Sequence, residues 1–373
     1  MKLHVVVVGA GAFGGWTALM LLRSGAQVTL VDAWGPGHAR ASSGGETRII
    51  RGTYGRRSIY TSMAARAMQL WQEHDARTQR QFFHRVGALW LFSGNPSFGE
   101  QSVEPMRAAG LRVEWLDPAE AQARWPQVGF NGVTHVLWEP EAGFALARRA
   151  CEQVVETFIA EGGQYLVGRV TPPEADGGPL GTITLEDGRM LAADRFVFAC
   201  GPWLGTTLPD VVGSRIRPSR QESFYFGTPA GDARWLPPQM PVWVDYAERM
   251  VYGIPGNAHR GFKVADDTYG ATFDPTHGDR AHTPEMLAEA RAFLRTRFPA
   301  LAHAPLLGSE VCQYELTADA HFLIDRHPGA PDAWLVGGGS GHGFKMGPAL
   351  GEYVTRLVLG EADIAPEFRL ARR

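Results

Sequence analysis

Four consecutive valines, Val5 to Val8, form the first apolar run of the chain and lead directly into glycine. An unbroken apolar run is what a strand covered on both faces requires, so residues 4–9 predict a buried parallel strand. Residues 12–24 follow as a helix with Leu19, Met20 and Leu22 turned inward, and Gly25 stands where a helix ends in a left-handed residue. A second strand is predicted over 28–32, ending at Asp32. Strand, helix and strand in this order begin a doubly wound α/β domain.

The texture changes near residue 82. Alternating strands such as 87–92 appear, with turns and many of the tryptophans. Residues 144–161 predict an amphipathic helix. Val197, Phe198 and Ala199 form a strand running into the turn at Gly201, where the first domain resumes. Residues 215–305 are strands and polar turns with a helix over 284–297. Trp334, Leu335 and Val336 form a last strand that enters a glycine-rich loop and then a helix through Leu359. The predicted fold class is therefore α/β, α+β overall. A discontinuous Rossmann-like domain takes residues 1–84, 145–214 and 319–373, and a β-rich second domain takes 85–144 and 215–318.

Length and charge agree with this picture. A chain of 373 residues favours about two domains. With a net charge of −3 and no basic run, nothing in it suggests a nucleic-acid footprint. No apolar stretch approaches the ~20 residues of a membrane helix, and a strand starting near residue 4 leaves no room for a signal peptide. Three cysteines without a CxxC pair argue against a disulfide framework and against a zinc site, and fit a cytoplasmic protein. Lysine is almost absent: Lys2, Lys263 and Lys345 stand against thirty-three arginines. Lys263 and Lys345 lie in glycine-flanked stretches, where a compact point charge does what the planar fork of arginine cannot.

The spacing Gly9-x-Gly11-x-x-Gly14, with Ala12 and Phe13 inside it, allows a tight turn, close approach to a pyrophosphate and helix-on-strand packing. Asp32, eighteen residues past Gly14 and followed by Ala33, is placed to accept from a ribose hydroxyl. The fingerprint points to a dinucleotide without choosing FAD over NAD; its plain alternative is a glycine-tolerant turn. Arg48 and Arg51 are three apart and share a face if their segment is helical, the alternative being two solvated surface charges. Five glycines within 337–343 exceed the needs of one turn and let backbone N–H groups approach a flat or anionic group. His342 between them reads as a hydrogen-bonded structural residue rather than a base. A lone Cys312 reads first as a small buried hydrophobe, as do Cys151 and Cys200.

The segments around Gly9, Gly11 and Gly14, Glu46-Thr47-Arg48-Ile49-Ile50-Arg51, Cys312-Gln313-Tyr314 and 339–345 occur in the order and spacing of one family. Over essentially its whole length the chain resembles monomeric sarcosine oxidase and its relatives, flavoenzymes of the D-amino-acid-oxidase-like superfamily. The resemblance implies that the discontinuous domain binds FAD and the β-rich domain the substrate. It implies FAD on Gly9, Gly11, Ala12, Phe13, Gly14, Asp32, Ala33, Ser42, Thr47 and Arg48, and on the loop bearing Gly339, Gly341, His342, Gly343, Phe344 and Lys345. The flavin would be tethered through its 8α-methyl group to the sulfur of Cys312. Arg51 and Lys345 match the residues that hold the substrate carboxylate. Lys263 matches a lysine that promotes reaction with oxygen. Tyr54, Tyr60, Tyr252 and Tyr314 match tyrosines that line the pocket.

The implied activity is oxidation of a secondary amino acid, N-methyl or cyclic, to an imine that hydrolyses with release of an aldehyde, O₂ being reduced to H₂O₂. The implied partners are a small carboxylated amine and O₂, and the implied state is a monomer. Three departures touch the pocket: Asp267 and Gly44 stand where relatives have histidine, and Glu315 where threonine is common. They leave open sarcosine, a larger N-alkyl amino acid, a cyclic imino acid, or a substrate with a second cation. Other readings are a primary amino-acid oxidase acting on glycine or D-amino acids, an FAD dehydrogenase with another acceptor, a nicotinamide-dependent dehydrogenase and a non-catalytic nucleotide-binding module. Cys312 argues against the first and Lys263 against the second. The nicotinamide reading leaves Cys312 and the loop 337–345 without a role, and absence of turnover with bound cofactor would favour the module.

Overall fold

The computed structural model describes residues 2–372. The opening strand is His4–Val8, and its first three valines are wholly buried. The cause is its central place in a six-stranded sheet. It pairs in parallel with Gln27–Asp32 on one side and with Arg195–Phe198 on the other. Gln164–Val167 extends the sheet beyond Gln27–Asp32, while Ala330–Gly337 and then Leu323–His327 extend it past Arg195–Phe198. Only that last pair is antiparallel.

The first helix, Ala12–Arg23, buries Leu19 and Leu21; Met20 and Leu22 are only partly covered, so the inward face is rotated by one residue from the expected one. Gly25, at φ +93°, ends it as expected. The helix packs on Gly347–Leu359 from the far end of the chain. A Cβ on Gly351 would lie 2.8 Å from the Trp16 backbone, so glycine is what lets these helices approach so closely.

The second sheet has eight strands. From one edge to the other it runs Leu306–Leu316, Arg217–Phe226, Phe262–Asp266, Met250–Ile254, Val242–Tyr246, Ala88–Phe92, His135–Glu139 and Glu114–Leu116. Every residue of Ala88–Phe92 is buried, because it is flanked on both sides and packed on both faces. The helix Pro284–Arg297 has the expected bounds; Thr283 caps it, accepting from the Met286 amide at 3.4 Å. The α/β class with a second β-rich part is thus the observed fold class.

Two segments differ from expectation. The stretch holding Arg48 is a strand, Arg48–Ile50, paired antiparallel with Gly143–Ala145, and is not helical. The β-branched Ile49 and Ile50 favour that pairing. Arg48 therefore lies on a strand with Arg51 just beyond it, and the two share no helix face. The same pairing delays the next helix, which spans Ala147–Ala160. The 21-residue helix Ser58–Thr78 was not anticipated; it buries Tyr60, Ala64, Ala67, Met68 and Trp71 against the core. Among the described residues no helix is long and apolar enough to cross a membrane.

His74 sits on that helix, 2% exposed, with neither ring nitrogen hydrogen-bonded and its ring 4.8 Å from Trp16. Burial, reinforced by Arg23 and Arg77, pushes its pKa down to about 4. The unfolded chain therefore binds a proton that the folded chain refuses, and stability falls as pH drops through the interval from about 6.5 to about 4. The limiting loss is about 3 kcal/mol. His74→Phe is expected to flatten this part of the stability profile, measured as thermal midpoints at successive pH values.

Candidate active site

The end of the first strand makes the first wall. Gly9 has φ +106°, and a Cβ there would lie 2.3 Å from the Ala199 carbonyl oxygen; a Cβ on Gly14 would lie 1.8 Å from that of Gly9. Glycine at both positions brings the strand, the neighbouring strand end and the helix N-terminus together around a cavity of about 350 Å³. Gly9, Gly11, Ala12 and Phe13 line one side, and Gly339, Gly341, Gly343 and Phe344 another. Asp32, Ala33 and Trp34 stand at one end. The Arg169 guanidinium lies 4.7 Å from the Trp34 ring.

Asp32 accepts from the amides of Ala10 at 2.8 Å, Trp34 at 2.9 Å and Gly35 at 2.7 Å. Its carboxylate thus fixes the two loops that shape the site, with lone pairs left for a further donor. Ser42 Oγ and Glu315 Oε2, on residues that line the cavity, are buried without a hydrogen-bond partner, as is Thr47 Oγ1 nearby. Burial pushes the Glu315 carboxyl up to about 7, against the pull of the Gly339 and Gly338 amides. Free hydroxyl and carboxyl groups, a helix N-terminus and glycines whose Cβ atoms would close the space suit a ligand with phosphates, hydroxyls and a flat group.

A second cavity of about 500 Å³ meets the first at Arg48, Tyr314, Gly341 and Phe344. Arg51, Tyr54, Tyr252, Asp267, His342 and Lys345 lie on its wall. Lys345 is 5% exposed and donates to the Tyr54 hydroxyl at 3.0 Å and the His342 carbonyl at 2.9 Å. Burial, then the nearby Arg51 charge, lowers its pKa well below the usual lysine range. Arg51 donates to the Thr53 carbonyl, and its guanidinium lies 4.6 Å from the Tyr54 ring centre and 5.0 Å from that of Trp90. Neither cation takes part in an ion pair among the described residues.

The backbone beside Arg51 is held by the buried Glu139, which accepts from the Gly52 amide at 2.7 Å, from Trp90 Nε1 at 2.7 Å and from the Thr53 hydroxyl. Across the cavity Tyr314 donates to Asp267 Oδ1 at 2.6 Å, and its oxygen lies 3.4 Å from that of Tyr252. His342 Nε2 faces the Ala320 carbonyl at 2.9 Å; burial and the adjacent Lys345 push the imidazole down to about 3, so it is a neutral structural group.

Of the other expected site residues, Lys263, Cys312 and Tyr60 line neither cavity, while Arg48 stands where the two meet. Lys263, 2% exposed, donates to the Thr47 carbonyl at 3.4 Å, the same oxygen that Arg48 Nη1 reaches at 2.8 Å. Burial and the Arg48 charge push it down to about 8. Arg48 also donates to the Ser42 carbonyl; burial opposes its charge, and the nearby Glu310 carboxylate favours it. Cys312 is partly exposed on Leu306–Leu316, opposite Gln221. Tyr60 does not reach a cavity. Its ring is wholly buried, and its hydroxyl accepts from the Phe322 amide at 3.0 Å. Cys200, read as a core thiol, lines the first cavity, its pKa pushed up to about 12 by burial.

The sequence reading did not single out Trp34, Arg169 and Trp203 in the first cavity, or Arg57, Phe98 and Tyr269 in the second. None carries a motif; each arrives by tertiary contact.

A family model described as DAO, FAD dependent oxidoreductase, matches residues 4–357. Monomeric sarcosine oxidase of a Bacillus species is 29% identical over 361 residues, covering 95% of this chain and 92% of that protein. N-methyl-L-tryptophan oxidase of Citrobacter koseri is 28% identical over 387 residues, covering 100% and 99%. Among solved structures, L-proline dehydrogenase from P. horikoshii superposes with a TM-score of 0.86 at 22% identity, covering 100% of this chain and 97% of that one. Amadoriase II from Aspergillus fumigatus gives 0.84 at 22%, covering 100% and 90%.

The glycine geometry makes a paired prediction. Gly14→Ala places a methyl group 1.8 Å from a backbone oxygen, whereas a Cβ on Gly15 meets nothing nearer than Val154 Cγ1 at 3.5 Å. Visible flavin absorbance per purified chain is expected to fall by about tenfold or more in Gly14→Ala, where backbone cannot yield, and to be kept in Gly15→Ala.

Proposed function

The chain belongs to the FAD-dependent oxidoreductase family, and on that premise we propose that it oxidises secondary amino acids, N-alkylated or cyclic, with O₂ as acceptor. The observation that carries this reading is the pair Arg51 and Lys345. Both line a cavity without an ion-pair partner, and that cavity meets the one suited to a dinucleotide. Two cations of this kind, Lys345 buried and Arg51 partly so, suit a carboxylate, each contact adding about 1.5–3 kcal/mol. A cavity of about 500 Å³ exceeds what glycine bearing one N-methyl group fills, which favours a larger substrate. The relatives named for sarcosine and N-methyltryptophan span that range of size.

Bound FAD would accept the hydride equivalent from the carbon next to nitrogen and pass the electrons to O₂, giving an imine and H₂O₂. The protein's own part is placement. Arg51 and Lys345 fix the carboxylate, and with it the position of the neighbouring C–H bond. Tyr54, Tyr252 and Tyr314 surround the substrate with aromatic surface and exclude water. In this reading the six-stranded sheet and its helices carry the cofactor over 1–84, 145–214 and 319–373, and the eight-stranded sheet carries the substrate over 85–144 and 215–318. Cys312 is the proposed anchor of the 8α-methyl group, and the enzyme acts as a monomer.

Lys263 is assigned to the oxygen step. A cation about 4 Å from charge developing on O₂, at an effective dielectric of about 20, contributes about 4 kcal/mol, on the order of a thousandfold in rate. With its pKa near 8, the lysine is charged at neutral pH and loses the charge above that value.

Four measurements test the reading. Arg51→Ala is expected to weaken binding of a carboxylate inhibitor at least about tenfold in flavin-perturbation titrations; unchanged binding would remove the clamp. Lys263→Met is expected to leave anaerobic flavin reduction nearly intact while slowing reoxidation by O₂ a hundredfold or more, on the order of the Coulomb limit, in stopped flow. Wild-type reoxidation should slow as pH rises through about 8. Acid precipitation should leave a yellow pellet from the wild type and a yellow supernatant from Cys312→Ala; a colourless wild-type pellet would make the flavin non-covalent.

A further inference from the structure

Among the described residues, Asp267 is the one acidic side chain on the wall of the second cavity, where Arg48, Arg51, Arg56, Arg57 and Lys345 also lie. It forms no ion pair with any of them. Its neighbour Asp266 turns away, bound to Arg249 and to the Thr268 amide at 2.7 Å. Asp267 is held in place instead. Its amide donates to the Met250 carbonyl at 2.9 Å, and the Tyr314 hydroxyl donates to Oδ1 at 2.6 Å. Tyr252 stands behind Tyr314 at 3.4 Å, and the ring of Tyr269 lies edge-on to Tyr314 at 6.4 Å. One fixed, unpaired carboxylate and two fixed, unpaired cations thus share one cavity. That arrangement is complementary to a molecule with both charges, and it penalises a molecule with only one.

We propose that Asp267 is the counter-ion of the substrate's cationic nitrogen and takes its proton, so that the cavity selects amino acids in their zwitterionic form. This rests on the carboxylate clamp proposed above. The proton step balances without a further reactant. An N–H bond of the ammonium breaks, an O–H bond forms on the carboxylate, and the nitrogen keeps its electron pair. A cation and an anion become a neutral amine and a neutral acid, which costs less inside a partly desolvated cavity than an isolated ammonium does.

The electrostatics around Asp267 suit this duty. Burial pushes its pKa up to about 6; the Tyr314 hydrogen bond, Arg51 and Lys345 oppose the rise, and Asp266 adds to it. The group is therefore ionised at neutral pH and still able to hold a proton. Tyr252, Tyr269 and Tyr314 keep their protons near it, their pKa values raised by burial and by Asp267 itself. In the reverse direction the neutral acid returns its proton to water through the open mouth of the cavity.

The test compares two isosteric ligands on the holoenzyme by titration calorimetry. N,N,N-trimethylglycine carries a permanent cation; tert-butylacetate has the same shape without it. The wild type is expected to prefer trimethylglycine by about tenfold or more. Asp267→Asn, whose amide oxygen still accepts from Tyr314, is expected to lose or invert that preference. A wild type that binds both equally, or an unchanged preference in Asp267→Asn, would overturn the assignment while leaving the clamp intact. Failure of both ligands to bind the wild type would overturn the clamp and this inference together. Proton transfer is read from single-turnover flavin reduction. Its rate at low substrate should rise through about pH 6 in the wild type and shift to the amine's own alkaline range in Asp267→Asn. An unmoved profile would overturn the proton-accepting role.

Discussion

Positive charge buried without matching negative charge is the constraint around which this site is organised. Lys263 and Lys345 are almost fully covered, and Arg48 and Arg51 partly so, yet none forms an ion pair among the described residues. Buried charge of this kind is costly unless it is hydrogen-bonded or met by a partner. The protein meets part of that cost with neutral oxygens and aromatic faces: the Tyr54 hydroxyl, the carbonyls of Ser42, Thr47, Thr53 and His342, and the rings of Tyr54 and Trp90. The buried carboxylate Glu139 is taken up by the Gly52 amide, Thr53 and Trp90, so it stiffens the cationic wall without pairing with it. What remains uncompensated is left for a ligand.

The fold supplies the rigidity this requires. Strand ends of the central sheet deliver Gly9, Asp32 and the Gly337 end of the last strand to one cavity. The eight-stranded sheet delivers Tyr252, Lys263 and Tyr314 from three of its strands to the neighbourhood of the other. The two spaces meet where Arg48 and Tyr314 stand, so a shift of either sheet would disturb both.

Legibility in the sequence divided along a physical line. Gly9, Gly11, Gly14 and Asp32 could be read because their roles are local: a backbone turn, a close approach, a carboxylate at a strand end. The rarity of lysine marked Lys263 and Lys345 because composition made any retained lysine unusual. The helix Pro284–Arg297 was legible because its limits are local, with Thr283 as cap and proline at its first position. The conformation of the Arg48 segment stayed open in the sequence because it is set by Gly143–Ala145, almost a hundred residues away. Tyr60 resembled the other tyrosines in sequence, yet its environment is fixed by Phe322 and His321 from the far end of the chain. Tyr269 and Phe98 reach the cavity through loop and helix placements that no local pattern encodes.

The close fit of Ala12–Arg23 against Gly347–Leu359 has a consequence for how the molecule comes into being. The helix Ala12–Arg23 finds its main partner far along the chain, in Gly347–Leu359. The glycine loop 337–343 that lines the first cavity, with Lys345 after it, directly precedes that partner. During synthesis the opening strand and helix therefore wait, with apolar surface uncovered, until Gly347–Leu359 has emerged. A nascent chain stalled before the loop would lack the glycines and Phe344 that line the first cavity and the Lys345 that lines the second. Both cavities are thereby completed only once this loop has been made and has folded back beside the first helix.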